Sequence, residues 1–114
     1  MGDRAMVEIK TEGGSLYVYT HWGGTHLPQE AKDAIVRAEP RWDDYPYATR
    51  IIVDQLIKDG RDEETGFGLM LTLDAEDSYN RDCPSVIVDL LEQKFTICRG
   101  RRKVSTFKEL LPIY

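Results

Sequence analysis

The sequence predicts an α+β fold: a mostly antiparallel sheet of about five strands, two main helices and a short C-terminal helix. Three observations predict it. Apolar residues alternate in segments near 7–20, 67–73 and 86–99, which is the period of a strand. Apolar residues fall at helical spacing over 28–40 and 46–58. Glycine pairs and polar turns join the strand segments into hairpins. The order reads β-β-α-α-β-β-β-α, which favours helices packed on one face of the sheet. With 114 residues the chain is one domain by size, spanning positions 1–114.

The elements follow in order. Val7, Ile9 and Thr11 alternate with charged residues, then "EGGS" turns the chain into "LYVYT". In that second strand Leu16, Val18 and Thr20 share one face, and Tyr17, Tyr19 and His21 share the other. Pro28 suits a first helical turn, Glu30 suits its dipole, and Pro40 stops the helix. Ala31, Ala34, Ile35 and Ala38 form its apolar stripe, narrow enough for close packing. The second helix takes Asp44 as cap, Pro46 near its start and Gly60 as terminator. Its expected buried stripe is Thr49, Ile52, Val53, Leu56 and Ile57, with Arg50 and Asp54 paired at i and i+4. In "GFGLMLTLD", Phe67, Leu69, Leu71 and Leu73 alternate on one strand face. "SVIVDLL" and "KFTICR" form a second hairpin, "GRRKV" reads as a basic turn, and Ser105 or Thr106 caps a helix docked by Phe107, Leu110 and Leu111. The helical connection between the second and third strands also allows one parallel pairing by a crossover. No repeat, low-complexity tract or linker interrupts the chain.

Composition narrows the function classes. Apolar residues are 41% and charged residues 31%, with a formal charge of −5. That balance argues against direct nucleic-acid binding, which wants a basic surface. It is compatible with a basic protein partner, including a nucleic-acid-binding protein whose phosphate site the chain would occupy. Cys83 and Cys98 are too few for a disulfide framework and make no C-x-x-C pair, so both are expected as reduced thiols. There is no signal-peptide core and no long apolar run, and Met6 excludes a myristoylation pattern. The expectation is a cytoplasmic protein that neither crosses nor anchors to a membrane.

Two segments carry candidate site residues. In "THWGGTHLP", His21, Trp22, Gly23, Gly24 and His26 sit where a strand hands over to a helix. The histidines are five apart with no third in the chain, which is not a metal-ligand pattern, so no metal is expected. The glycines permit a sharp corner or the approach of backbone N–H groups to an anion, without the spacing of a dinucleotide fingerprint or a P-loop. In "RWDDYPYATR", Arg41, Trp42, Tyr45, Tyr47 and Arg50 have the composition of a recognition surface or a ring-stacking pocket. The simpler reading is that Trp42 and Tyr47 seal a helix–helix corner while Asp44 caps the helix. If the two segments meet, His21, Trp22, Arg41 and Trp42 would line one pocket. "ETGFG", the basic run 99–103 and the acidic clusters at 62–64 and 76–77 are weaker candidates, for which a strand entrance and solvated surface are the simpler readings. No nucleophile, acid–base pair or cofactor motif stands out, so no cofactor is expected.

"YTHWGGTHLP", "RWDDYPYATRIIVDQLI" and "ETGFG" together resemble small bacterial and phage open reading frames without an assigned activity. The resemblance spans roughly residues 17–91 and implies a stand-alone domain of phage-linked genomes that binds and inhibits a host component, such as a defence system. The leading expectation is therefore a non-enzymatic module acting through protein–protein contacts. The alternative is a small-molecule or nucleotide-binding protein, or a hydrolase, using the 21–26 loop with Arg41, Trp42 and Arg50. Sequence does not set the oligomeric state.

Overall fold

The computed structural model describes residues 5–20, 25–71, 85–98 and 101–112. The first hairpin forms as the alternation predicts. Strand β1 (Ala5–Thr11) pairs antiparallel with β2 (Gly14–Thr20), Val7 opposite Val18 and Ile9 opposite Leu16. Helix α1 (Leu27–Arg37) and a 3-10 turn (Glu39–Arg41) lead to helix α2 (Tyr45–Ile57). Four short strands follow: β3 (Phe67–Met70), β4 (Val86–Asp89), β5 (Lys94–Ile97) and β6 (Lys103–Thr106). Helix α3 (Phe107–Leu110) closes the described chain.

The strands make one sheet of six, in the order β3-β2-β1-β4-β5-β6. Sequence anticipates about five, and β6 is the addition. "KVST" holds a single large apolar residue, Val104, which is itself exposed, so it shows no buried alternation. It is a strand because its backbone pairs with β5, Phe95 opposite Ser105 and Thr96 opposite Val104. One pair is parallel, β1 with β4, and the rest are antiparallel. The helical connection after β2 does not produce that parallel pair. It holds two helices, and the second pass returns the chain to the end of β2 that it left. Thr20 and Phe67 therefore face each other and β3 runs antiparallel to β2.

The core lies between one sheet face and the helices. Val7, Ile9, Val18, Val86, Val88 and Phe95 supply the sheet side, all at most 2% exposed. Ala31, Ala34, Ile35 and Ala38 of the first stripe are all fully buried. Three alanines let α1 approach closely, since each presents only a methyl group. The stripe of α2 is turned by about one residue from the predicted one. Ala48, Ile52 and Leu56 are buried, while Thr49, Val53 and Ile57 are half-buried at its flank. Asp44 occupies the N-cap position of α2, but its side chain makes no capping hydrogen bond. Asp54 pairs with Arg37 of α1 and with Arg61, each at 3.1 Å, and not with Arg50. An Arg placed before an Asp at i, i+4 opposes the helix dipole, and helix packing offers Asp54 better-placed cations.

Gly60 acts differently from a left-handed terminator. A Cβ at that position would lie 2.8 Å from the Phe67 ring, so glycine makes room for β3 to dock beside the end of α2. Gly66 does need glycine's freedom: its φ is +104° as the loop enters β3. In α3, Thr106 and Glu109 form a complete capping box, the Thr106 Oγ1 accepting from the Glu109 N–H and the Glu109 carboxylate from the Thr106 N–H. Phe107, fully buried, anchors the short helix. No helix among the described residues is long and apolar enough to cross a membrane.

Candidate functional site

The described end of the first sequence-predicted segment, at His26, lies apart from the second segment. His21, Trp22, Gly23 and Gly24 lie outside the described residues. His26 is exposed at the N-cap position of α1, where its carbonyl accepts from the Glu30 N–H and its side chain makes no cap. The 11 residues of α1 then put about 16 Å of helix between His26 and the corner that carries Trp42. His26 and Trp42 thus share no pocket. Among the described residues, no group of His, Cys, Asp and Glu is arranged to hold a metal ion.

Trp42 belongs to the core. It is 7% exposed, its indole N–H donates to the Ile35 carbonyl at 2.8 Å, and its ring tilts against Phe107 at 5.1 Å. The corner is further tied by the Gln93 amide donating to Asp43 at 2.9 Å. Arg41 and Tyr47 stay on the surface, where the guanidinium sits 5.3 Å from the centre of the Tyr47 ring. The aromatic-arginine segment therefore splits: Trp42 faces inward, and Arg41 with Tyr47 forms a separate stacked pair outside.

Tyr45 and Arg50 contribute to something the sequence does not announce. Between α2, the β1–β2 turn and β3 lies an open groove of about 720 Å³. Tyr45, Pro46 and Val53 form its helix wall, and Leu16, Leu69 and Leu71 its sheet wall. Glu12 stands on one lip and Arg50 on the other. The groove exists because the sheet is wider than the helical layer above it. Leu69 pairs with buried Val18 and points to the same side, yet it is 55% exposed because β3 is the last strand and α2 stops short of covering it. Leu71 is 77% exposed. In sequence these leucines look like core, since alternation marks a strand face without telling whether a helix covers it.

A second cavity, about 430 Å³, opens at the start of β3. Thr20, Gly60, Gly66 and Phe67 line it, with Asp59 and Glu63 at the rim. The "ETGFG" segment is here, shaping the entrance to the strand. On the sheet face away from the helices, Ser15 donates to the Glu8 carboxylate at 2.6 Å. Tyr17 stands beside them, its hydroxyl pushed above the ordinary tyrosine range by burial first and by the Glu8 charge second.

No protein-family model, curated protein or solved structure matches the chain.

Proposed function

We propose that the chain is a small non-enzymatic binding module whose groove between α2 and β3 takes an apolar segment of a protein partner. The observation that supports this reading most is the exposure of Leu69 and Leu71 beside Leu16, Tyr45 and Val53. Leucines held out of the core in one patch, rimmed by charge, are the pattern of a protein-contact surface. Glu12 and Arg50 on opposite lips favour a partner that offers a cation and a carboxylate on either side of its apolar residues. A cytoplasmic setting and a role as a phage-linked inhibitor of a host component belong to the same proposal, and rest on the resemblance of the motifs. The small-molecule reading has less support, because Trp42 spends its indole on the core.

The test begins with a photo-crosslinking residue at position 71, and in a control at position 47, to identify a partner in the native host. Binding of that partner to purified protein is then measured for Leu69→Arg and Leu71→Arg. Loss of a central apolar anchor should weaken binding by roughly thirtyfold, the scale of a hot-spot residue. Wild-type affinity in both variants, with the fold intact, would sink the groove as the contact surface.

A further inference from the structure

The two edges of the sheet are charged oppositely, and the chain direction makes them complementary. Among the described residues, β3 and β6 are the edge strands. The registers fix their directions: β3 runs with β1, β1 with β4, and β4 with β6, so the two edges point the same way. The loop that leads into β3 carries exposed Asp59, Asp62, Glu63 and Glu64. Its Arg61 is turned to Asp54 at 3.1 Å. The turn that leads into β6 carries exposed Arg101 and Arg102, and β6 opens on exposed Lys103. Acid therefore precedes one edge and base precedes the other, each at the N-terminal end of its strand.

The geometry points to head-to-tail self-association, with β6 of one copy adding in parallel to β3 of the next. Parallel addition continues the sheet without inverting it, keeps the helices of both copies on one side, and brings the acidic loop against the basic turn. The outward backbone groups of each edge, which have no neighbouring strand among the described residues, gain partners. Lysines and short strands are common guards against edge pairing, and here they guard against one mode only. A parallel β6–β6 contact would set Arg101, Arg102 and Lys103 against their own copies and put the helices on opposite faces, and a parallel β3–β3 contact would do the same with Glu63 and Glu64. The antiparallel versions place the like-charged ends at opposite ends of the seam, where neither meets the opposite cluster. Only the mixed contact matches charge with charge, which makes it heterologous. The twist of a sheet, about 20–25° per strand, rotates each successive copy by roughly 120–150°. Growth is therefore a winding open chain and does not stop at a dimer. The β3 edge that pairs also carries Leu69 and, just beyond it, Leu71 of the groove wall, so a second copy added there borders the groove. The charge substitutions at 63, 64, 101 and 102 lie outside the groove and test the edge contact separately.

Sedimentation velocity of the intact protein tests it, from micromolar to millimolar concentration at low and high salt. The expected result is a weight-average mass that rises past the dimer with concentration and falls as salt screens the contact. Glu63→Lys with Glu64→Lys should hold the protein monomeric, even though it brings the net charge nearer zero. Arg101→Glu with Arg102→Glu should do the same. Combining all four substitutions recreates the complementarity with reversed sign, and should restore growth. All four positions are exposed, so folding is not at stake. A monomer at every concentration, a mass that stops at the dimer, or a combined variant that stays monomeric would each overturn the inference.

Discussion

Thr49 lies on the flank of α2, half-buried at the wall of the groove, and its hydroxyl oxygen is inaccessible without a hydrogen-bond partner among the described residues. A buried hydroxyl left unpaired costs part of its desolvation energy. Thr49→Val keeps the shape and removes the polar atom, and should stabilise the fold by about 1 kcal/mol. Urea denaturation measures it, and a lower midpoint at unchanged slope would mean that the hydroxyl is paired in solution. Trp42 shows what sequence can and cannot settle about a single residue. Its setting among Arg, Asp and Tyr fits a recognition surface as well as a helix corner, the corner being the simpler reading. Only the 2.8 Å bond to the Ile35 carbonyl and the contact with Phe107 choose the corner. The partners of Asp54 differ from the expected Arg50 for a related reason: Arg50 is near it in sequence, while Arg37 and Arg61 come near it only through packing.

Elements were legible where their signals are local. The two long helices and the first hairpin follow from apolar spacing and proline placement, and the α3 cap is narrowed in sequence to Ser105 or Thr106, between which the Thr106–Glu109 hydrogen bonds choose. β6 was not, because a four-residue edge strand with one exposed apolar residue has no periodicity to read. In sequence Gly60 reads as a helix terminator, whereas its reason, the Phe67 ring, is seven residues away across a loop. The α3 cap makes a prediction at this scale. Glu109 is held below the ordinary carboxylate range, first by the Thr106 backbone N–H and then by the Thr106 side chain. A depressed folded-state pKa contributes stability above the unfolded value and loses it as pH falls through the folded value. Glu109→Gln keeps an acceptor in the capping box but cannot titrate. Wild type should therefore exceed Glu109→Gln in stability near neutral pH, and the difference should close in acid below the folded pKa. Denaturation midpoints across that range measure it, and a difference independent of pH would refute the linkage.

At the scale of the molecule, sequence conveyed the class of fold and missed the geography of its surface. Strand order depends on pairings between distant segments, and whether an apolar strand face is covered depends on how far the helical layer extends. Leu69 and Leu71 are the clearest case: the alternation that puts them on the core side is correct, and the sheet simply outruns α2. This separates residues that hold the fold from residues that the groove displays, and the separation can be measured. Ile52 is fully buried between α2 and the sheet, so Ile52→Ala should cost about 2–4 kcal/mol through lost contacts and the cavity left behind. Leu69→Lys and Leu71→Lys change side chains that already face water, so each should stay within about 0.5 kcal/mol of the parent. The comparison needs only thermal or urea unfolding of the purified protein. If the lysine variants lose as much stability as Ile52→Ala, these leucines are core in solution and the groove is closed. If they unfold with the parent, the patch persists without any contribution to the fold, which leaves it free for the proposed contact.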